Sequence, residues 1–140
     1  FLQDEAVSPT GYTDRARLVI ALLEHLHTVE SVRALIAVFE SALVHPERDM
    51  MMAKRVAEAI NLLLSFEPKL KISAKEEQKL RDFLHKLLEI SDDDGTRGTI
   101  YCALRGVGDS VSIKLIKDSK RLQGKWFGIE RVAIKAIEQR

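Results

Sequence analysis

An all-α fold of antiparallel helix pairs stacked side by side is predicted for this 140-residue chain by three observations. Apolar residues recur at helical spacing from residue 13 onward, and no stretch reads as a strand. Aromatic residues make up 6% and there are three prolines and seven glycines, a composition that argues against a sandwich or barrel. Residues 90–109 read as an acidic turn, a short amphipathic helix, a glycine stop and an immediate restart, the outline of a helical hairpin. A hairpin of this kind cannot bury its apolar stripe alone, so it needs stacked neighbours, and the product is a solenoid that offers surface rather than an enclosed chamber. At this length, with 46% apolar and 31% charged residues, one domain can bury roughly two thirds of its unfolded surface without a metal or disulfide.

Residues 1–12, with Ser8, Pro9 and Gly11, carry turn formers and little periodicity and are expected to form a flexible arm. Thr13 can cap a first helix over 13–27, with the stripe Val19, Leu22, Leu23 and Leu26. The second begins near Glu30, places Val32, Leu35, Ile36, Phe39 and Leu43 on one face, and ends at His45-Pro46. Pro46 suits the first turn of a third helix, where its missing N–H would be unpaired anyway; Met52, Val56, Ile60 and Leu63 carry that helix to about Phe66, and Pro68 closes it. Ser73-Ala74-Lys75-Glu76 is a capping box that opens the fourth, with Leu80, Phe83, Leu84, Leu87 and Leu88 along one side. Asp92 to Gly95 predicts a tight turn, and a fifth helix follows from about Thr96 to Val107, with Gly108 as a left-handed stop and Asp109 as the next N-cap. Val111, Leu115 and Ile116 anchor the sixth, Gly124 breaks the chain, and Trp126, Ile129, Ala133, Ile134 and Ile137 give the seventh.

Pairing neighbours yields hairpins at about 29–66, 73–107 and 109–139, with 13–27 as a capping helix of one domain over 13–140. The pairs repeat. Ser31-Val32-Arg33-Ala34-Leu35-Ile36 parallels Ser110-Val111-Ser112-Ile113-Lys114-Leu115-Ile116, and Arg55-Val56-Ala57-Glu58-Ala59-Ile60 parallels Arg131-Val132-Ala133-Ile134-Lys135-Ala136-Ile137, in the same order. On these residues the chain resembles a HEAT-like repeat protein over 29–140. Arg97-Gly98-Thr99-Ile100-Tyr101-Cys102-Ala103-Leu104-Arg105-Gly106-Val107-Gly108-Asp109 is similar to that family's second-helix signature, with its arginine, alanine-leucine pair and glycine-aspartate ending. The resemblance implies a right-handed α-α superhelix of about seven helices, and a ladder between repeats for which Asp92, Asp93 and Asp94 with Arg97 fit. Arg55 and Arg131 sit out of step with Arg97, and the signature glycine is missing after Ile60 and Ile137, so irregular repeats are expected.

Chemistry finds little to work with. Asp92-Asp93-Asp94-Gly95 lacks the alternating ligands and distant glutamate of a calcium loop and reads as helix capping. His25, His27, His45 and His85 form no ligand set and are expected at the surface. Cys102, the single cysteine, lies between Ile100 and Leu104 and reads as a small buried hydrophobe, and Gly106 and Gly108 read as packing and capping glycines rather than a phosphate cradle. No catalytic, cofactor or metal residue is expected.

Twenty-two basic against twenty-one acidic residues leave a formal charge of +1, which gives no global field for nucleic acid. The sign is uneven. Asp4, Glu5, Asp14, Glu24 and Glu30 face only Arg15 and Arg17 in the first thirty residues, whereas the end carries Lys114, Lys117, Lys120, Arg121, Lys125, Arg131, Lys135 and Arg140. Either charge simply drifts along solvated faces, or the basic end docks an acidic partner. In a HEAT-like stack the polar positions of the second helices, Lys54, Arg55, Glu58, Asn61, Arg97, Tyr101, Arg105, Arg131 and Lys135, would line the inner curve. Of adjacent Trp126 and Phe127, one can face the core while the other reaches outward. The expected contact set is therefore Arg97, Tyr101, Arg105, Trp126, Arg131 and Lys135, on a non-enzymatic scaffold that binds another protein, with no cofactor. No membrane span or signal segment is evident, and a cytoplasmic location is expected. The resemblance keeps two alternatives open, a bilin lyase-like or a DNA glycosylase-like enzyme. The start at Phe1 and the end inside a helical pattern point to a third, a regulatory piece of a larger protein.

Overall fold

The computed structural model describes residues 28–42, 50–66 and 70–140. Among them the chain is helical and holds no strand. We number the helices α1 (Val29–Ala42), α2 (Met50–Leu64), α3 (Ala74–Ile90), α4 (Asp94–Val107), α5 (Ser110–Asp118) and α6 (Ile129–Glu138), with a 3₁₀ turn at Gly124–Trp126. Six helices lie among these residues rather than the seven expected. The expected arm (1–12) and first helix (13–27), the turn around Pro46 and the stop at Pro68 fall outside them.

Short-range chemistry sets most of the boundaries. The Ser73 hydroxyl accepts the Glu76 N–H at 3.1 Å, and the Glu76 carboxylate accepts the Ser73 N–H at 3.0 Å, so α3 opens on the expected capping box. Asp109 caps α5 through the Val111 and Ser112 N–H groups. Two expected boundaries move. The acidic turn is shorter than the sequence predicts, because the Asp93 carboxylate accepts the Thr96 N–H at 2.9 Å and so starts α4 at Asp94. Trp126 belongs to the 3₁₀ turn, and α6 starts only after Gly128, whose φ of +87° is a backbone state that favours glycine. Gly108 is also not the left-handed stop: its φ is −70°. A Cβ there would lie 2.7 Å from the Leu104 carbonyl oxygen at the end of α4 and 2.8 Å from Ile137 Cδ1 of α6, so crowding at this helix end explains the glycine.

Side-chain burial shows how the helices stack. α4 buries eight of its fourteen residues, among them Ile100, Tyr101, Ala103, Leu104 and Val107, because α2 packs on one side of it, α6 on another and α3 on a third. The remaining contacts run between α1 and α2, α1 and α3, α2 and α3, and α5 and α6. The predicted stripes Met52, Val56, Ile60 and Leu63 of α2 and Leu80, Phe83, Leu84, Leu87 and Leu88 of α3 are all buried. Each fully buried aliphatic side chain of this kind stabilises the fold by about 1.5–3 kcal/mol relative to exposure. Polar ties run between the hairpins: Arg33 to Glu76 at 2.9 Å, Arg105 to Asn61 at 3.1 Å, Arg81 to Asp109 at 3.0 Å, and the Ser65 hydroxyl to the Cys102 carbonyl at 3.0 Å.

Burial falls away at the chain end. α5 buries only Ser112 and Ile116, and α6 only Ala133 and Ile137. Val111, read from the sequence as an anchor of its helix, is 55% exposed. No helix among the described residues is long and apolar enough to cross a membrane.

Candidate functional site

The expected contact residues separate into two groups. Arg97 is spent internally: its guanidinium donates to the Asp94 carboxylate at 2.6 Å, and its side chain is 13% exposed. Tyr101 is fully buried, which corrects its place in the contact set; its hydroxyl lies against the Ser119 region and completes no hydrogen bond. Burial holds that phenol above its ordinary pKa. Arg105 donates to the Cys102 carbonyl and to Asn61 and lies 5.4 Å from the Phe66 ring centre. Arg55 pairs with Glu58 at 3.0 Å. Arg97, Arg105, Asn61 and Arg55 of the polar row along α2 and α4 are thus held by partners within the fold.

The segment between α5 and α6 accounts for the buried members. Trp126 lies so close over α4 that a Cβ on Gly98 would sit 2.2 Å from its ring, and Lys125 covers the indole at 5.6 Å. The Gln123 N–H donates to Asp94 at 3.0 Å, and the Leu122 N–H to Glu130 at 2.6 Å. Trp126 is therefore the inward member of its pair and Phe127, at 67% exposure, the outward one. Trp126, expected as a contact residue, is partly buried against α4. The expected ladder takes a different form as well, because Asp94 pairs with Arg97 on its own helix and reaches the next hairpin through a backbone amide. Those two bonds, the amide first, hold the Asp94 carboxyl below its ordinary pKa. The Thr96 N–H, helped by the Thr96 side chain, does the same for Asp93.

Arg131 and Lys135 are exposed. They border a groove of about 960 Å³ between the end of α5 and α6, with Ile116, Phe127, Ile129, Val132 and Ile134 among its apolar lining. Phe127 and Val132, the latter 52% exposed, hold their side chains in water. Lys117 and Arg121 complete the basic rim. None of these four cations forms an ion pair among the described residues. Glu130 and Glu138 are the acids of the rim, and Glu130 is occupied by the Leu122 N–H. Lys117, Arg121, Phe127 and Val132 were not singled out by sequence reasoning as a joint site; the available signal was the pair Gly124 and Gly128, both at positive φ, which turns the chain between Trp126 and α6.

Other constellations close on themselves. His85 Nε2 lies 2.7 Å from the Ser112 hydroxyl, which lies 3.3 Å from Asp109, so the serine stands between the other two, whereas a nucleophile–base–acid relay needs the histidine in the middle. Ser112 is fully buried, and its hydroxyl accepts the Asp109 N–H as part of the α5 cap, so no substrate carbonyl can reach it. His85 is half-buried between α3 and α5 rather than a free surface histidine, and burial lowers its pKa below the ordinary value. His25, His27 and His45 lie outside the described residues. Cys102 is half-buried, and burial raises its thiol pKa, away from the reactive thiolate. No group of three or more His, Cys, Asp or Glu among the described residues is placed to hold a metal ion. No protein-family model, curated protein or solved structure matches the chain.

Proposed function

We propose that this chain is a HEAT-like right-handed α-α superhelix that works as a non-enzymatic protein-binding module, and that it holds an acidic amphipathic helix of another protein in the α5–α6 groove. The helix-pair repeat and the flanking of α4 by α2 and α6 support the architecture. One observation carries the function: an apolar floor with exposed Phe127 and Val132 is ringed by Lys117, Arg121, Arg131 and Lys135, none of them neutralised within the described fold. An amphipathic helix laid in such a groove buries its apolar face on the floor and sets carboxylates against the rim. The floor supplies affinity and the rim supplies orientation and on-rate. The inner-curve residues Arg97, Tyr101 and Arg105 drop out of the contact set, while Arg131 and Lys135 stay.

The test is fluorescence anisotropy of a labelled, designed helical peptide with leucines on one face and glutamates along both edges, titrated with the full chain. Binding is expected to weaken with salt and to fall at least about tenfold in the R131E/K135E variant, with its helical circular dichroism unchanged. Equal binding by both chains sinks the proposal.

A further inference from the structure

Resting on the groove being a protein-binding site, we infer the direction and charge order of its occupant: the bound helix runs antiparallel to α6, gathers its carboxylates in its C-terminal half and carries a basic residue in its first turn. The groove has two unlike ends. α5 starts beside the end of α6, because a Cβ on Gly108, two residues before α5, would meet Ile137, and the Gly108 carbonyl accepts a bond from Arg140. α5 ends beside the start of α6, because the Leu122 N–H, four residues past α5, donates to the Glu130 carboxylate at 2.6 Å. The two helices are therefore antiparallel. Lys117, in the last turn of α5, and Arg121, just beyond it, stand level with the first turns of α6, where Arg131 lies.

Along α6 the sign then changes. Arg131, Lys135 and Glu138 stand at i, i+4 and i+7, so they share the face that lines the groove, and Glu138 lies about 10 Å further along the axis than Arg131. Lys117, Arg121 and Arg131 gather at the first end, Lys135 sits between, and Glu138 closes the second end without an ion pair among the described residues. Nearby acids do not cancel the basic end: the Glu130 carboxylate is occupied by the Leu122 N–H, and Asp118 is not part of the lining. Arg140, just past Glu138, is held by Glu77 and the Gly108 carbonyl.

Charge order alone leaves two directions open, since a helix can carry its acids at either end. The backbone decides between them. A helix presents about half a positive charge at its N-terminus and about half a negative charge at its C-terminus. α6 adds its positive terminus to the three cations, so this end attracts the unpaired carbonyls of an occupant's last turn and repels the unpaired N–H groups of its first. At the other end, the occupant's first turn meets Glu138 and the negative terminus of α6. Side-chain charge and backbone dipole agree only when the occupant runs antiparallel to α6.

Two designed peptides of one composition, each about fifteen residues long with leucines along one face, test this on the full chain by fluorescence anisotropy. A hydrocarbon staple on the outer face holds both helical, so the comparison reads docking rather than peptide folding. The first has lysine in its first turn and glutamates in its last two turns; the second has the glutamates first and the lysine last. The first is expected to bind at least about threefold tighter. Trp126, the only tryptophan, precedes α6 and reports direction: energy transfer to a dansyl group on the C-terminus of the first peptide is expected to exceed transfer to one on its N-terminus. Glu138 is exposed, so E138K is expected to keep the wild-type circular dichroism while weakening the first peptide about threefold, and a first-turn lysine-to-glutamate change in that peptide regains the loss. Equal affinity of the two peptides, stronger transfer to the N-terminal dansyl group, or a folded E138K chain that binds the first peptide like wild type overturns the inference. If it is overturned while the peptide with glutamates along both edges still binds in an Arg131- and Lys135-dependent way, the direction falls and the proposed function stands. Binding by none of the three peptides ends both.

Discussion

Replacing the glycines of α4 by alanine one at a time is expected to give three different results from one chemical change. Alanine is worth about 1 kcal/mol over glycine in a helix interior, so the baseline expectation is a gain everywhere. At Gly95 that gain shrinks: a new Cβ lies 3.3 Å from Asp93 Oδ2, which must give by a few tenths of an ångström while it holds the Thr96 N–H, and 3.5 Å from Lys54 Nζ, the end of a flexible side chain. At Gly98 the Cβ meets the Trp126 ring at 2.2 Å, and the ring must leave. A tryptophan buries about 150–250 Å². Exposing half of that at about 25 cal/mol per Å² costs about 2–3 kcal/mol, leaving a net loss of about 1.5 kcal/mol. At Gly106 the Cβ lies 2.4 Å from the Leu64 carbonyl oxygen and 2.7 Å from its carbon, so α2 and α4 must separate by about 1 Å to reach ordinary contact. Backbone faces backbone and no rotamer relieves it, which puts the cost near the top of the 1–3 kcal/mol range for overpacked cores and the net loss at about 2 kcal/mol.

Equilibrium denaturation followed by circular dichroism and by tryptophan fluorescence separates the three, because Trp126 is the only tryptophan. Gly95→Ala is expected to unfold near the wild-type midpoint. Gly98→Ala is expected to unfold earlier, with native emission already shifted to the red. Gly106→Ala is expected to unfold earliest with native emission unchanged, at about 4 °C of melting temperature per kcal/mol lost for a chain of this size. A Gly106→Ala chain as stable as wild type refutes the close approach of α2 and α4, and an unshifted Gly98→Ala spectrum refutes the seating of Trp126.

Acid is expected to weaken the fold in two separate windows. Burial lowers the His85 pKa below its ordinary value of about 6.5, so the unfolded chain takes up that proton first, and the stability His85 confers is complete above about pH 6.5 and is lost as the pH falls below it. Denaturation midpoints between pH 7.5 and pH 5.5 read this, and His85→Gln is expected to flatten the slope; an identical slope in both chains rejects it. Glu76, Asp93, Asp94 and Asp109 titrate below the ordinary carboxylate range, so their share is present above about pH 4 and is lost on further acidification. Tyr101→Phe removes a buried hydroxyl that completes no hydrogen bond, so the midpoint is expected to move by less than about 0.5 kcal/mol in either direction, and a loss above about 1.5 kcal/mol contradicts the assignment. Ser73→Ala breaks the α3 capping box and is expected to cost about 1 kcal/mol in the same measurement; no loss contradicts the cap.

Features settled within a few residues were legible in the sequence. Ser73 with Glu76, and Asp109 with Ser112, satisfy backbone donors three positions away, so their capping roles need no knowledge of the fold. The stripes of α2 and α3 follow from helical spacing alone. What failed was decided at long range. Tyr101 and Arg97 read as an outward polar row, but Asp94 holds one end of the α5–α6 connection and the absent Cβ of Gly98 admits Trp126, so that connection lies against the face they occupy. Gly108 sits where a left-handed stop is common, but its φ is −70° and a Cβ there would be crowded by Ile137, 29 positions along the chain, as well as by the Leu104 carbonyl oxygen. Arg81, which reaches Asp109 and the Val107 carbonyl, and Arg140, which reaches Glu77 and the Gly108 carbonyl, tie distant hairpins and carry no local signal.

The same distinction decides what the charge of the chain means. A total of +1 counts a paired arginine and an unpaired one alike, although only the second projects a field. Arg55, Arg81, Arg97 and Arg140 each have a carboxylate within the fold. A partner that recruited Arg97 would have to displace Asp94 and gain only the difference between two carboxylate bonds. Lys117, Arg121, Arg131 and Lys135 carry no such debt within the described residues, and they border the same surface that leaves Phe127 and Val132 in water. Near-neutral composition therefore argues against a chain-wide grip on a polyanion and has no bearing on the docking of a single acidic helix proposed for one groove. Local pairing, more than net charge, decides which face is left with unpaired cations beside exposed apolar side chains among the described residues.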